Sequence, residues 1–550
     1  MAIAAPPTRA IVHSVHRALR HGLLWPLIVM TLVGCAGLPP GAGYARNAST
    51  ALVDPHSTRL GARIAKLSSE HPGLSGFRIV SVGVDGFLTR AQIIDSAEKT
   101  LDLQYYIYRG DETGRLLNAA LLRAADRGVR IRVLVDDGES VSGDERVMLL
   151  DDHPLIEVRV FNPFAYRGHS STLRGLEYLF KHTRLDYRMH NKLLVVDNAV
   201  AMVGGRNIGN QYFQMDPQSQ FADDDVFVAG PLVTTLSASF DEFWNSPLAI
   251  PAPALSALAT DTAQGSDSQR RTSKRHAPEL DTLQTDGVDY GLKLASGEPY
   301  AGMLSGQLPL VWAHAEVLSD SPGKRQVVSG SAAGRLLMPA VIEAARGVQT
   351  ELLIVTPYFV PVEAELQLFA ELRNRHVRVR VLTNSLEAAP LLLAHAGYAP
   401  YRAALLERGV ELNEVRSLLS YARGSGQTST MSSYGNYALH AKLYIFDRQR
   451  LFIGSMNFDQ RSKHLNTEIG VMIDSPVLAQ QTAERFEAMT QPQNSYVLAL
   501  LPHRAGDTPA LIWQTREAGQ MVEYWHEPAR RRWHRLMVRL LALLPIESEL

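Results

Sequence analysis

A single cysteine, Cys35, stands in a chain of 550 residues. Disulfides within the monomer are therefore excluded, and packing must hold the fold. Excess charge is also missing: 55 Lys and Arg face 56 Asp and Glu, a formal net charge of −1. Without residues 1–34, which carry Arg9, Arg17, Arg20 and no acid, the charge is about −4. No globally basic face for nucleic acid is evident, so none is expected among the partners. A long apolar run near the N-terminus is lacking too. Leu23 to Gly34 is about a dozen residues, too short to span a bilayer comfortably.

That run has a different use. Arginines precede it and Leu32-Val33-Gly34-Cys35 ends it, the layout of a secretion signal. The ending resembles the bacterial lipobox, in which Cys35 is lipidated and becomes the new N-terminus. Residues 1–35 are read as signal and lipobox, and 36–73 as an N-terminal segment. The alternative is an uncleaved anchor. Either way the rest of the chain is expected outside the cytoplasm, near a membrane.

What the chain does have is a repeat. His-x-Lys-x4-Asp, followed by Gly-[Gly/Ser]-x-Asn, occurs as His190, Lys192, Asp197, Gly204, Gly205, Asn207. It recurs as His440, Lys442, Asp447, Gly454, Ser455, Asn457, an offset of 250 residues. Both copies lie in strand-like sequence, MHNKLLVVD and LHAKLYIFD, where alternation puts each histidine beside its lysine. Asp197 and Asp447 fall on the opposite face or at the strand end, as structural parts of the motif. A polar turn and a short apolar run then predict a hairpin, whose glycines return Asn207 or Asn457 toward the His/Lys face.

An imidazole is a nucleophile or proton carrier, an ammonium faces a phosphate oxygen, and a carboxamide donates hydrogen bonds. Two copies face to face make a nearly symmetric phosphate site. One imidazole attacks phosphorus while the other protonates the departing oxygen, so neither metal nor cofactor is expected. A lone histidine would as readily satisfy a strand end; the matched pair argues otherwise.

On these motifs the chain resembles the phospholipase D superfamily, with its paired HKD motifs. It is similar in particular to the bacterial cardiolipin synthases of the C type. Supporting segments include LDLQYYIYRGDETG, AADRGVRIRVLVDD, IVTPYFVP, GSMNFDQRSKHLNTEIGV and the terminal LLALLPIESEL. The resemblance implies an α/β fold: two α-β-α sandwich domains with mixed sheets, pseudo-twofold related, with the active site at their interface. It implies phosphatidyl transfer through a phosphohistidine, with His190 the nucleophile, His440 the proton carrier, and Asn207, Ser455 and Asn457 holding phosphoryl oxygens with the lysines. It also places an acid after each motif to orient a histidine. Glu468 fits directly. Matching Gly230-Pro231 to Ser475-Pro476 puts Asp223 opposite it, with Asp224 and Asp225 equally open to being a solvated acidic turn. The implied partners are phospholipids (phosphatidylglycerol and, as donor, it or phosphatidylethanolamine), a membrane surface and an accessory protein. The expected location is the periplasmic face. Ala36 after the cysteine permits outer-membrane sorting, whereas phospholipid synthesis is usually an inner-membrane task. The rival readings are a phospholipase D hydrolase, a superfamily nuclease and a non-catalytic lipoprotein scaffold.

Hydrophobic residues, 46% of the chain, suffice for two packed cores. The strand-helix-strand unit from YYIY to RIRVLVDD is answered by PYFV to VRVRVLTN, with EAELQLFAELRNRH as the second helix. The expected boundaries are 74–258 for the first domain, 287–500 for the second, and 259–286 for a linker, or a partly helical stretch, between them. Residues 501–550 form an extension. There Arg530, Arg531, Arg532, Arg535 and Arg539 interleave with Trp533, Leu536, Met537, Leu540 and Leu541 as a basic amphipathic helix. That helix either lies on a membrane or packs on the protein.

Overall fold

The structure, a computed structural model, describes residues 38–138, 145–168, 170–216, 218–255, 302–303, 309–417, 421–422, 428–429, 436–501 and 510–544. Cys35 with the signal, and the linker 259–286, lie outside them. Eighteen strands form one continuous mixed sheet. In the first half the order is Ser75–Val80, Asp225–Ala229, Val200–Gly204, Leu193–Val196, Thr100–Tyr105, Arg130–Asp136, Ile156–Phe161, Ala249–Pro251. The second half repeats it as Val311–Ser319, Ile469–Asp474, Arg450–Gly454, Leu443–Phe446, Glu351–Val355, Arg378–Asn384, Glu411–Val415, Ser495–Leu500. The halves join where Ser75, Gly76 and Phe77 pair antiparallel with Ala313, Trp312 and Val311. The same order on both sides of an antiparallel junction is a pseudo-twofold arrangement. Leu511–Glu517 and Gln520–Tyr524 then add two strands to the second sheet, so the expected C-terminal extension begins as sheet.

Helices cover the sheet because parallel strands need crossovers. Helix Glu112–Asp126 is capped by the Asp111 side chain, which accepts from the Gly114 N–H, and it buries Leu117, Ala120, Leu121 and Ala124. Helix Glu363–Asn374 is its counterpart: Glu365 accepts from the Val362 N–H, and Leu366, Phe369 and Leu372 are buried. On the other face, Leu232–Trp244 and Pro476–Met489 belong to one core shared by both halves. That core includes Val195, Val203, Phe240, Leu353, Ile445, Ile453 and Phe486. The two domains are therefore closed against each other by apolar side chains, not merely tethered.

Both motif hairpins form as expected, Leu193–Val196 with Val200–Gly204 and Leu443–Phe446 with Arg450–Gly454. One detail differs. The strands begin at Leu193 and Leu443, so each His-x-Lys is an extended segment before its strand, freed from ladder pairing to face the other half. The turns carry two consecutive left-handed residues, Asp197 and Asn198 (φ 51° and 50°) and Asp447 and Arg448 (φ 52° and 54°). Short polar side chains tolerate that region; Arg448 is held there by its surroundings.

The aspartates explain the turns. Asp197 accepts from the N–H groups of Glu98, Lys99 and Thr100 at 2.9, 2.8 and 2.8 Å. Asp447 accepts from those of Gln349, Thr350 and Glu351 and from the Thr350 hydroxyl. Each carboxylate thus pins a hairpin to the start of the adjacent strand and takes no part in proton transfer. Both aspartates thus have the structural part expected from their place in the motif. Asp197→Ala, which strands three N–H groups near a buried turn, is expected to lower unfolding stability by about 3 kcal/mol. Urea titration showing a change below about 1 kcal/mol would remove this role.

Candidate active site

The histidines sit where main chain from one half crosses to the other. His190 N–H donates to Thr467 O at 2.9 Å, and Thr467 N–H returns a bond to Arg188 O at 2.9 Å. On the other side His440 N–H donates to Ala222 O at 2.7 Å, continuing a parallel pairing of Asn436–Leu439 with Ser219–Ala222. Thr467 and Ala222 immediately precede Glu468 and Asp223. The acids are therefore delivered crosswise.

His190 Nδ1 lies 2.9 and 3.0 Å from the two Glu468 carboxylate oxygens, and His440 Nδ1 lies 2.5 Å from Asp223 Oδ2. Each histidine is oriented by the acid of the opposite half. With Nδ1 engaged, Nε2 is the nitrogen left for the cavity that both rings line. The ambiguity within Asp223, Asp224 and Asp225 is resolved by geometry. Asp224 is bonded by Ser81 Oγ and by Arg485, and Asp225 by Arg90 and Arg206, all buried or half-buried. Neither is a solvated turn residue.

Ser455 requires a correction. Its hydroxyl donates to Glu468 and accepts from the Ile469 N–H, so it supports the acid and is no part of the cavity's lining. Ser462 Oγ donates to the other Glu468 oxygen at 2.8 Å, and the Glu468 N–H is held by Asp320 at 2.8 Å. The counterpart of Ser455 is Gly205, where an added Cβ would overlap the Asp223 carboxylate. Gly205 thus makes room for Asp223, and neither Gly204 nor Gly205 serves a positive-φ turn.

Lys192 and Lys442 are buried, and each donates to its own histidine's carbonyl; Lys442 Nζ also lies 2.9 Å from His440 Nδ1. Their charge is felt in the titration of the rings. Burial holds His190 well below the usual histidine range, reinforced by Lys192, Lys442 and Arg461. Burial and Lys442 hold His440 down to about 3, against the pull of Asp223. Burial lowers Lys192 well below its usual range and Lys442 to about 8. Burial pushes Glu468 up to about 7, whereas at Asp223 the same desolvation is outweighed by His440 and Lys442 and the carboxyl is lowered. An anion entering the cavity meets two neutral imidazoles, with Lys192 and Lys442 buried behind them on the histidines' own carbonyls.

The cavity measures 550 Å³. Asn207 and Asn457 line it as expected. Asn207 is engaged, accepting from the Ile107 N–H at 3.1 Å and donating to Tyr212 Oη at 2.9 Å. The Oδ1 atoms of Asn457 and of Asn466, also in the lining, have no hydrogen-bond partner among the described residues. Several lining residues escaped the sequence reading. Tyr106 and Tyr358 lie beyond the ends, Tyr105 and Val355, of corresponding strands, and Tyr106 packs edge-on to His190 with ring centroids 5.0 Å apart. Asp459, pushed up to about 6 by burial, and Arg461, paired with Asp186 at 2.7 Å, follow the second motif. Arg530 reaches the cavity from the C-terminal segment. Their positions relative to the motif were the only available signal. Among the described residues no group of three or more His, Cys, Asp or Glu stands where it could hold a metal.

Paired halves, crossed acids and duplicated motif define a double-domain phospholipase D-like protein. Residues 91–244 and 340–490 match the family described as "Cardiolipin synthase, PLD-like domain", and the chain belongs to that family. Cardiolipin synthase C of Escherichia coli is 37% identical to it over 89% of this chain and 99% of that protein. An uncharacterized protein of Helicobacter pylori is 30% identical over 90% of this chain and 94% of its own length. The major cardiolipin synthase ClsA of Bacillus subtilis is 24% identical over 74% of this chain and 67% of its own.

Two outcomes test the site. Gly205→Ser is expected to displace Asp223 and lower turnover on the order of a hundredfold or more while the fold persists; unchanged turnover would show the acid is not needed there. A bound phosphate anion is expected to raise the His440 value from about 3. Between its free and bound values the complex then holds more protons than the free protein, so binding a phosphonate lipid analogue in that pH window is expected to take up at most about one proton. Calorimetry in buffers of different ionisation enthalpy reads this, and His440→Asn is expected to abolish it. Equal heats in all buffers for the unmodified protein would refute the assignment.

Proposed function

We propose that the chain transfers a phosphatidyl group between two phospholipids and so forms cardiolipin. The observation that carries the reading is the pair of crossed carboxylate–imidazole contacts, Glu468 with His190 and Asp223 with His440, opening onto one cavity. In the first step the Nε2 lone pair of His190 attacks phosphorus. The bond from phosphorus to the headgroup oxygen breaks, and that oxygen takes the proton from His440. In the second step His440 removes the proton from a glycerol hydroxyl of phosphatidylglycerol. The hydroxyl oxygen bonds to phosphorus, and the P–N bond breaks, returning its electron pair to His190. Two displacements give ping-pong kinetics and net retention at phosphorus.

The carboxylates support this order. Asp223, lowered and therefore ionised, stabilises an imidazolium on His440; Glu468, raised toward neutrality, leaves His190 a neutral nucleophile. Lys192 and Lys442 offset charge building on the phosphoryl oxygens, and Asn457, in the cavity lining, offers the NH2 of its carboxamide as a donor to the ligand. Arg530, at the cavity's edge, is placed to meet the phosphate of the acceptor lipid.

Purified protein given phosphatidylglycerol alone, and then with phosphatidylethanolamine, is expected to yield cardiolipin by mass spectrometry. Both His190→Ala and His440→Ala are expected to lose turnover by a factor on the order of ten thousand. Phosphatidic acid as the sole product would instead establish a hydrolase, and substantial activity in either variant would overturn the mechanism.

A further inference from the structure

The C-terminal helix Arg532–Leu541 packs beside the catalytic cavity through one side only. Val538 is buried in a small cluster with Leu386 and Ala396, and the neighbouring loop Ala388 to Leu391 forms part of the cavity wall. At about 100° per residue, two further strips run along the helix. Arg532, Arg535 and Arg539 make one. Leu536, Leu540 and Trp533, respectively 58%, 51% and 49% exposed, make the other, which continues into Leu543, 80% exposed.

The arginine strip lines a second groove, of 470 Å³, with Trp513 and Trp525 on its other walls. Arg535 Nε donates to the Glu527 carbonyl at 2.6 Å. No ion pair or side-chain hydrogen bond joins Arg532 or Arg539 to any described residue. The one carboxylate among the groove's described lining residues, Glu527, is already committed to His395 at 2.6 Å and to Arg402.

Guanidinium groups without partners among the described residues, beside an apolar strip that those residues leave exposed, match an amphiphile with an anionic head. Inorganic phosphate would leave the apolar strip in water. A symmetric contact with a second copy would bring the same arginines together. We propose that this groove binds the phosphate of an anionic phospholipid in a bilayer surface, with the Leu536–Leu540 strip in the acyl boundary. It is a site separate from the catalytic cavity, and it holds that cavity's mouth at the membrane. The inference rests on the lipid-substrate reading for its purpose, but its test measures binding alone.

The full chain with Cys35→Ser is partitioned onto phosphatidylcholine vesicles with and without phosphatidylglycerol. Each arginine near an anionic surface contributes about fivefold, so Arg532→Gln with Arg539→Gln is expected to lower the preference for phosphatidylglycerol vesicles about twentyfold. Turnover of short-chain monomeric lipid should be unchanged. Leu536→Ser with Leu540→Ser should weaken partitioning onto both kinds of vesicle. An unchanged vesicle preference in the arginine variant overturns the proposal. So does an equal loss of monomer turnover, saturation of the groove by inorganic phosphate alone, or dimerisation through this face in sedimentation. Protein that partitions as expected but forms no cardiolipin would defeat the proposed reaction and leave this site standing.

Discussion

The crossing of each carboxylate to the opposite half's imidazole is the constraint on which the rest depends. A half taken alone would have a histidine without its acid and an acid without its histidine, both in apolar surroundings. An unpaired buried carboxylate is costly. The halves must therefore meet in one register to within the length of a hydrogen bond. The antiparallel junction at Gly76 and Trp312 sets that register, the shared core around Phe240 and Phe486 enforces it, and the bonds of His190 to Thr467 and His440 to Ala222 transmit it to the rings. Duplication supplies two copies of a motif; only this interlock makes them one site.

Electrostatics follow from the same interlock. Bringing the halves together buries Lys192, Lys442, both histidines, Asp223 and Glu468 within one region. Desolvation then pushes every group toward its neutral form, and the lysines keep the imidazoles from holding protons. An empty site of this kind disfavours an imidazolium, because burial and the neighbouring lysines oppose its charge. A phosphodiester brings negative charge beside the rings, so in the proposed reaction the proton needed for leaving-group departure is favoured when the anion is present. Specificity for a phosphoryl substrate is thereby built into the charge balance before any headgroup contact is made.

Much of this was legible in residues. The repeated spacing gave the motifs, the hairpins and the pairing of domains, and the match of Gly230-Pro231 to Ser475-Pro476 found Asp223. Local periodicity could not show that the acids cross, because that depends on which half each loop meets after folding. Ser455 was misread because a hydroxyl beside a glycine turn suggests a ligand contact, whereas its partner, Glu468, is thirteen residues away in sequence and adjacent only across the strand pair Arg450–Gly454 with Ile469–Asp474. Gly205 was credited with a turn when its task is to leave space for Asp223. Arg530 carried no motif at all; the fold brings the C-terminal segment back to the cavity through the helix packing at Val538. Tyr106 and Tyr358 sit in the answering segments YYIY and PYFV, but alternation along a strand does not extend past the strand's end.

The same comparison of Gly205 with Ser455 bears on how a nearly symmetric site does an asymmetric reaction. Two equal imidazoles would share the proton equally, and half of the encounters would begin in the wrong state. Here the supports differ. Gly205 admits the short Asp223 against His440, with Lys442 close by, and the carboxyl stays ionised. Ser455 and Ser462 instead hold the longer Glu468 by neutral hydroxyls, leaving it near about 7. An ionised partner favours an imidazolium, and a carboxyl close to neutral does not. In the proposed reaction the choice of proton carrier is therefore made by two small residues behind the acids, and the pseudo-twofold fold is left intact while the chemistry departs from it.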